Sequence, residues 1–234
     1  MTDARTLLRG VPGGRVLDVA TGRGNFVGFL LKGLASHDEI VGIDNDPEAA
    51  ARFAEAFGDR PGIRFEQMDA TALAFDDGRF DTVSVANSLH HFADPAAVLR
   101  EMRRVCRPGG SLVVLEMFRD GQAEPQITHV DLHHWWAAID TLGGTVHRET
   151  FPRAEVMDLI AGLGLSDLRV DDLTDSDTDP LSRETVDKLD PVIDRYIGFA
   201  DGHPDLQARG EELRRRLHDV GFLVATAVFA VGRT

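Results

Sequence analysis

Residues 16–26 read VLDVATGRGNF, and this stretch decides the fold. An apolar run closes on an acid, Asp18, and glycines follow at Gly22, Gly24 and Gly28. A strand that passes through glycines into a helix presents unpaired backbone amides at the helix start, a ready place for a ligand. The glycines let that ligand come close to the backbone. Working outward, five short Val/Ile/Leu/Phe-rich runs bounded by Gly, Pro or Asp predict strands at 15–20, 39–44, 63–69, 80–87 and 111–117. Helices are expected between them at 25–35, 47–57 and 94–106. The last two open with Asp46-Pro47 and Asp94-Pro95 as cap and first helical residue. Strand–helix alternation of this kind implies an α/β fold with a parallel sheet and right-handed crossovers.

After residue 117 the alternation breaks. RDGQAEPQ (119–126) reads as a polar turn, and THVDLHHWWAAIDTLGG (128–144) as a helix ending at Gly143-Gly144. A helix at 153–163 and a strand at 167–173 resume the pattern. The acidic segment 171–179 lacks the glycine and terminal glutamate of a calcium loop and reads as a connector. Two helices, 183–200 and 204–220, and a closing strand in FLVATAVFAVGR (222–233) complete the chain. The expected organisation is one domain over 1–234, with a lid or substrate insertion at 118–150 and a helical insertion at 174–220.

Composition narrows the partners. With 234 residues, 43% hydrophobic, the chain has enough apolar material for one sizeable core. No apolar run approaches the length of a membrane span, and MTDARTLLRG at the start lacks the apolar region of a secretory signal. Cys106 is the only cysteine, which excludes an internal disulfide and fits a reducing, cytoplasmic setting. A formal net charge of −14 disfavours nucleic acid and anionic membrane surfaces and points to a small-molecule substrate.

The glycine turn alone fits NAD(P) as well as other nucleotides, with Asp44 placed for a ribose. Asp18 alters this balance, because a carboxylate beside the turn repels a pyrophosphate. It suits a ligand with an ammonium group and no phosphate, as in S-adenosylmethionine. Asp44 would then accept from the ribose hydroxyls, and Asp69, ending the third strand, from the adenine amine. Three acids at successive strand ends lie on the carboxyl edge where such sheets bind ligands.

The stretches VLDVATGRGNF, VGIDNDP, QMDATALAFDDGRFDTVSVANSLHHFADP and LREMRRVCRPGGSLVV resemble class I S-adenosylmethionine-dependent methyltransferases of the UbiE-like group. The resemblance spans residue 15 to about 117 and resumes weakly at RAEVMDLIAGLGL. It implies a Rossmann-like seven-stranded sheet in the order 3-2-1-4-5-7-6, the last strand antiparallel, with helices on both faces. It implies that Asp18, Gly22 and Gly24 contact the methionine part of the cofactor, Asp44 the ribose, and Asp69 and Ala70 the adenine edge, with Asn45 and Met68 walling the adenine pocket and Ala20 also in the cofactor site. Asn87 would lie beside the transferred methyl group. The chain departs from many relatives in carrying Asn25 and Phe26 after the glycines and only about 14 residues before the first strand. The insertion after Met117 is then the natural cover for the cofactor.

Methyl transfer needs a general base only if the acceptor holds its proton tightly. His90, His91, Glu116 and His133 are the candidates, although the LHH segment also fits a purely structural role. In the insertion, His129 and His133 share a helix face, which is metal-ligand spacing, with Asp131 nearby. The other reading is an amphipathic lid whose His129, His133, Trp135 and Trp136 line a substrate pocket, or simple packing. No metal ligand is assigned. The apolar face of residues 183–220 could cover the active site or pair with a second copy as a homodimer. A nicotinamide oxidoreductase and a non-catalytic S-adenosylmethionine-binding protein are the competing functions.

Overall fold

A computed structural model describes residues 4–175 and 177–234; Met1, Thr2 and Asp3 of the opening segment and Ser176 of the acidic connector lie outside the described residues. The chain folds as α1 (Ala4–Leu7), β1 (Arg15–Val19), α2 (Asn25–Gly33), β2 (Glu39–Asp44), α3 (Ala49–Phe57), β3 (Ile63–Gln67) and β4 (Phe80–Ala86). After a 3-10 turn at Leu89–His91 come α4 (Pro95–Val105), β5 (Cys106–Met117), α5 (Glu124–Leu142), α6 (Arg153–Ala161) and β6 (Ser166–Leu173). The chain ends with α7 (Arg183–Phe199), α8 (Pro204–Asp219) and β7 (Ala227–Arg233). The seven strands form one sheet in the order β3-β2-β1-β4-β5-β7-β6. β7 runs antiparallel to β5 and β6, and the other pairs are parallel, so the expected architecture holds.

The strands are apolar on both sides because helices cover both faces. Alternate side chains serve opposite layers. Leu17, Val41, Val83 and Leu112 pack with Val98 and Met102 of α4 and Val156 and Ile160 of α6. Val16, Ile40 and Val113 face the other way, onto Val27 and Leu30 of α2 and Phe53 and Phe57 of α3. β6, at one edge, is mostly exposed and carries Asp167, Arg169, Asp171 and Asp172, charges that discourage pairing with another edge.

A third core lies outside the sheet. Leu132, Trp135 and Ile139 of α5 pack with Ile193 of α7 and Leu213 and Leu217 of α8. The apolar face of the last two helices, left free by sequence to cover the site or meet another subunit, therefore turns onto α5 within the same chain.

Three local expectations need correction. Asp46 does not cap a helix starting at residue 47, because α3 begins at Ala49. Its Oδ1 instead accepts from Glu48 N at 2.9 Å in a local turn. The polar segment read as a turn already contains the start of α5: Ala123 N donates to Gln126 Oε1 at 2.9 Å, closing the first turn around Pro125. The final strand is shorter than FLVATAVFAVGR, starting at Ala227. Upstream of it, α5 and its approach capture the backbone donors: Leu223 N reaches Pro125 O, Ala225 N reaches His129 Nδ1 and Thr226 N reaches Gln122 Oε1.

Candidate active site

The site grows from the carboxyl ends of β1 to β4, where the strand order reverses direction between β1 and β4. Asp18 sits between Leu17 and Val19 in the middle of the sheet and is 1% exposed. A carboxylate at that depth needs hydrogen bonds. Ser84, its register partner on β4, donates to Oδ1 at 2.7 Å, and Thr21 donates to Oδ2 at 2.7 Å. Burial outweighs both bonds and pushes Asp18 up to about 6. Thr21 gains its place because residue 42 on β2 is glycine: a Cβ there would lie 2.7 Å from Thr21 Cγ2.

Asp44, at the end of β2, braces the glycine turn. Its Oδ2 accepts from Gly22 N and its Oδ1 from Asp46 N, each at 2.9 Å. Asp69 is closed on its own turn, with Oδ1 accepting from Thr71 N and Thr71 Oγ1 at 2.8 Å each. Those bonds hold its pKa below the usual carboxylate value.

Two recesses meet at Ala20. A cleft of about 430 Å³ is bounded by Asp18, Ala20, Thr21, Gly22, Phe26, Phe29, Asn87 and Leu115. A smaller one of about 40 Å³ is bounded by Asp44, Asn45, Met68, Asp69, Ala70 and Phe92. Ala20 and Asn87 close β1 and β4 with φ of +53° and +47°. Non-glycine residues in this left-handed region carry local strain, a common mark of functional sites. The Asn87 amide is engaged, its Oδ1 accepting from Met117 N at 3.0 Å. Gly24 lines neither recess. It has φ of +84°, and a Cβ there would come within 2.4 Å of the Phe57 ring, so its smallness serves the packing of α3.

The other candidates separate into distinct groups. Glu116 is wholly buried, and both its oxygens are engaged. Oε2 accepts from Ser88 N and Leu89 N at 3.0 Å each, while Oε1 meets His90 Nδ1. It is a clamp on the turn after β4, with no oxygen left to take a substrate proton. Burial lowers His91 to about 3 and drives His133 down further. Both are neutral at physiological pH and weakly basic, unlike a general base tuned near neutrality. His90 is wholly buried behind them.

Trp135, expected at a substrate pocket, is 4% exposed and donates from its indole to Leu206 O at 2.8 Å. It fills the space between α5 and α8, where a Cβ on Gly210 would come within 2.5 Å of its ring. Trp136 is only partly buried and lies against Tyr196 and His133. His129 is held away by its bond from Ala225 N at 2.9 Å. Thr21, Ser84 and Phe92 escaped the sequence reading. Phe92 directly follows the LHH segment, which was the available signal; the hydroxyls became relevant only through the β1–β4 register.

The recesses present carboxylates at three successive strand ends, and Arg23, the one basic residue lining them among the described residues, is exposed. Such a set suits the ammonium, ribose hydroxyls and adenine amine of S-adenosylmethionine better than it suits a pyrophosphate.

Comparison with known proteins agrees with this geometry. Residues 17–114 match the family described as a methyltransferase domain. A demethylmenaquinone methyltransferase of Thermus thermophilus is 47% identical over 105 residues, covering 44% of this chain and 46% of that protein. A ubiquinone/menaquinone biosynthesis C-methyltransferase UbiE of Geotalea uraniireducens is 29% identical over 185 residues, 71% of this chain and 77% of its own length. The matches to the first three curated relatives span less than half of their lengths, at 46%, 42% and 30%. Among solved structures, the YcgJ protein of Bacillus subtilis superposes with a TM-score of 0.62 at 20% identity, covering 99% of this chain and 95% of that one. An S-adenosylmethionine-dependent methyltransferase of Mesorhizobium loti gives 0.57 at 18% identity, covering 98% and 95%. The fold is that of the class I methyltransferases. Within that class, residues 17–114 match a methyltransferase domain and are similar in sequence to the UbiE-type relatives.

Proposed function

We propose that this chain is an enzyme that binds S-adenosylmethionine across the two recesses and transfers its methyl group to a small organic acceptor. The observation that carries the reading is the buried Asp18 carboxylate in the wall of the larger cleft. A negative group there favours a cationic ligand and opposes a pyrophosphate. Asp18 would hold the ammonium, Asp44 the ribose hydroxyls, and Asp69 with Ala70 the adenine edge, while Met68 and Phe92 wall the base. When bound, the cofactor supplies a methyl carbon activated by the neighbouring sulfonium.

The protein's part is then alignment and exclusion of water. Leu115 lines the cleft and packs against a cluster that includes Val130 of α5, which supports α5 as part of a lid over the transfer position. A lid formed by α5, α7 and α8 would present the partly buried Trp136 and Tyr196 to the acceptor. Aromatic walls suit a flat ring. The names of the relatives make a quinone-type ring the first acceptor to try, with oxygen, nitrogen and carbon nucleophiles of similar size beside it.

Calorimetry with S-adenosylhomocysteine and with NAD tests the cofactor assignment: the first should bind and the second should not. Uptake of NAD alone would return the site to the oxidoreductases. Binding of S-adenosylhomocysteine without turnover across a broad acceptor panel would favour a non-catalytic binding protein.

A further inference from the structure

Four imidazoles converge between the end of β4 and the helical lid. His90 and His91 come from the 3-10 turn after β4, His133 from α5, and His147 from the loop that follows α5. One ring nitrogen from each lies within 4.8 Å of the other three. Around the group, ring centroids are 4.3 Å apart for His90–His91, 4.1 Å for His91–His147, 4.7 Å for His133–His147 and 4.7 Å for His90–His133.

The hydrogen bonds of these rings run outward. His90 Nδ1 is paired with Glu116, and His147 Nδ1 meets Asp140 Oδ2 at 2.7 Å. On the inner side, His90 Nε2, His133 Nδ1 and His147 Nε2 are buried and have no hydrogen-bond partner among the described residues. His90 is fully removed from solvent and His147 is 8% exposed. Three unpaired polar atoms in one small volume are unfavourable for a packing cluster. They are the ordinary state of a ligand set, in which one nitrogen binds an ion and the other donates to a carboxylate or carbonyl.

We propose that His90, His91, His133 and His147 bind one divalent transition-metal ion of the zinc class, with Glu116 and Asp140 orienting His90 and His147. Nitrogen-only donors suit zinc over magnesium or calcium, which take oxygen. A tetrahedral zinc at about 2.0–2.1 Å from each ring places the nitrogens about 3.3 Å apart, so ring movements on the order of 1 Å complete the site. The helix-face pair His129 and His133 is not the ligand pair, because His129 Nδ1 already accepts from Ala225 N. The bound ion joins three segments: the turn that follows Asn87, α5, and the loop after α5. It therefore fixes one side of the lid to the edge of the cofactor cleft. This site stands apart from the methyltransferase assignment, since its occupancy needs no turnover.

The test uses the full chain without a polyhistidine tag, stripped by a chelator and dialysed. Zinc is titrated by calorimetry, and cobalt(II) is followed by its visible absorption, which is intense only in a tetrahedral site. The expected result is one ion per chain, tetrahedral cobalt bands and a higher melting temperature with metal. Asp140→Asn should weaken zinc binding by about 10- to 100-fold through the loss of an outer partner. His133→Ala and His147→Ala should weaken it further, while His129→Ala should retain it. Circular dichroism of the stripped variants checks that each still folds. Stripped wild-type protein that takes up neither zinc nor cobalt overturns the proposal, as does a His129→Ala loss equal to that of His133→Ala. If the alanine variants do not fold, the wild-type titration and Asp140→Asn still decide.

Discussion

The Ser84 hydroxyl donates to Asp18 Oδ1 at 2.7 Å across the β1–β4 pair, so a polar contact between two buried residues joins the central strands directly under the cleft. Together with Thr21 it makes Asp18 tolerable in the sheet without making it comfortable, since burial still raises the carboxyl to about 6. A raised folded-state pKa means that stability is fully present below the unfolded value of 3.8 and is lost as pH rises through 6. Asp18→Asn should therefore match the wild type near pH 4 and become more stable above pH 6. The upper bound on the gain is about 3 kcal/mol, from two pKa units at 1.36 kcal/mol each. Melting curves across this range check it; a constant difference at all pH values would contradict the burial argument.

The same carboxyl sets the pH dependence of cofactor affinity. An ammonium group pairs with the ionised form, so affinity should fall about tenfold per unit as pH drops below about 6. Calorimetry with S-adenosylhomocysteine from pH 5 to 8 measures this, and Asp18→Asn should flatten the profile while lowering affinity throughout.

Asp44 both braces Gly22 and faces the smaller recess. Asp44→Ala removes a charged acceptor worth about 1.5–3 kcal/mol per hydrogen bond. Cofactor affinity should drop by roughly ten- to a hundredfold with the fold retained by circular dichroism. Unchanged affinity would show that the ribose is held elsewhere.

Glu116 accepts from two backbone amides and meets His90, all in the protein interior. Glu116→Ala strands the amides of Ser88 and Leu89, each unsatisfied donor costing about 1–3 kcal/mol. Chemical denaturation should show a loss of about 3 kcal/mol or more. Glu116→Gln retains an acceptor and should lose less; equal losses would mean that the charge, not the hydrogen-bond geometry, matters.

The two tryptophans should behave differently. Trp135 is core, and Trp135→Ala should destabilise by about 3–5 kcal/mol, with Gly210→Ala also destabilising through its clash with the same ring. Trp136→Ala should leave stability closer to the wild type and raise the KM for the acceptor. Equal stability losses at both positions would remove Trp136 from the acceptor wall.

Much of the geometry of the candidate cleft was legible because it is local. A strand, a glycine turn and an acid at each strand end follow one another within a few residues, and backbone geometry ties each acid to the edge of the sheet. Gly24 shows the limit of that reading: spacing marks it as a ligand glycine, whereas its actual neighbour is Phe57, a residue 33 positions further on. Glu116 shows another, since an acid at a strand end can be used entirely by the turn beside it.

By itself, the sequence determined a parallel α/β sheet with acids at its strand ends, because alternating apolar periods and glycine turns are short-range signals; the strand order came from the family resemblance. Only the tertiary structure decided which histidines meet. Helical spacing pairs His129 with His133, yet the loop after α5 folds back so that Arg148 N bonds to His90 O at 3.1 Å, bringing His147 beside His91. Contacts between segments more than fifty residues apart depend on how α5 and the loop after it dock on the sheet, and no local pattern encodes that.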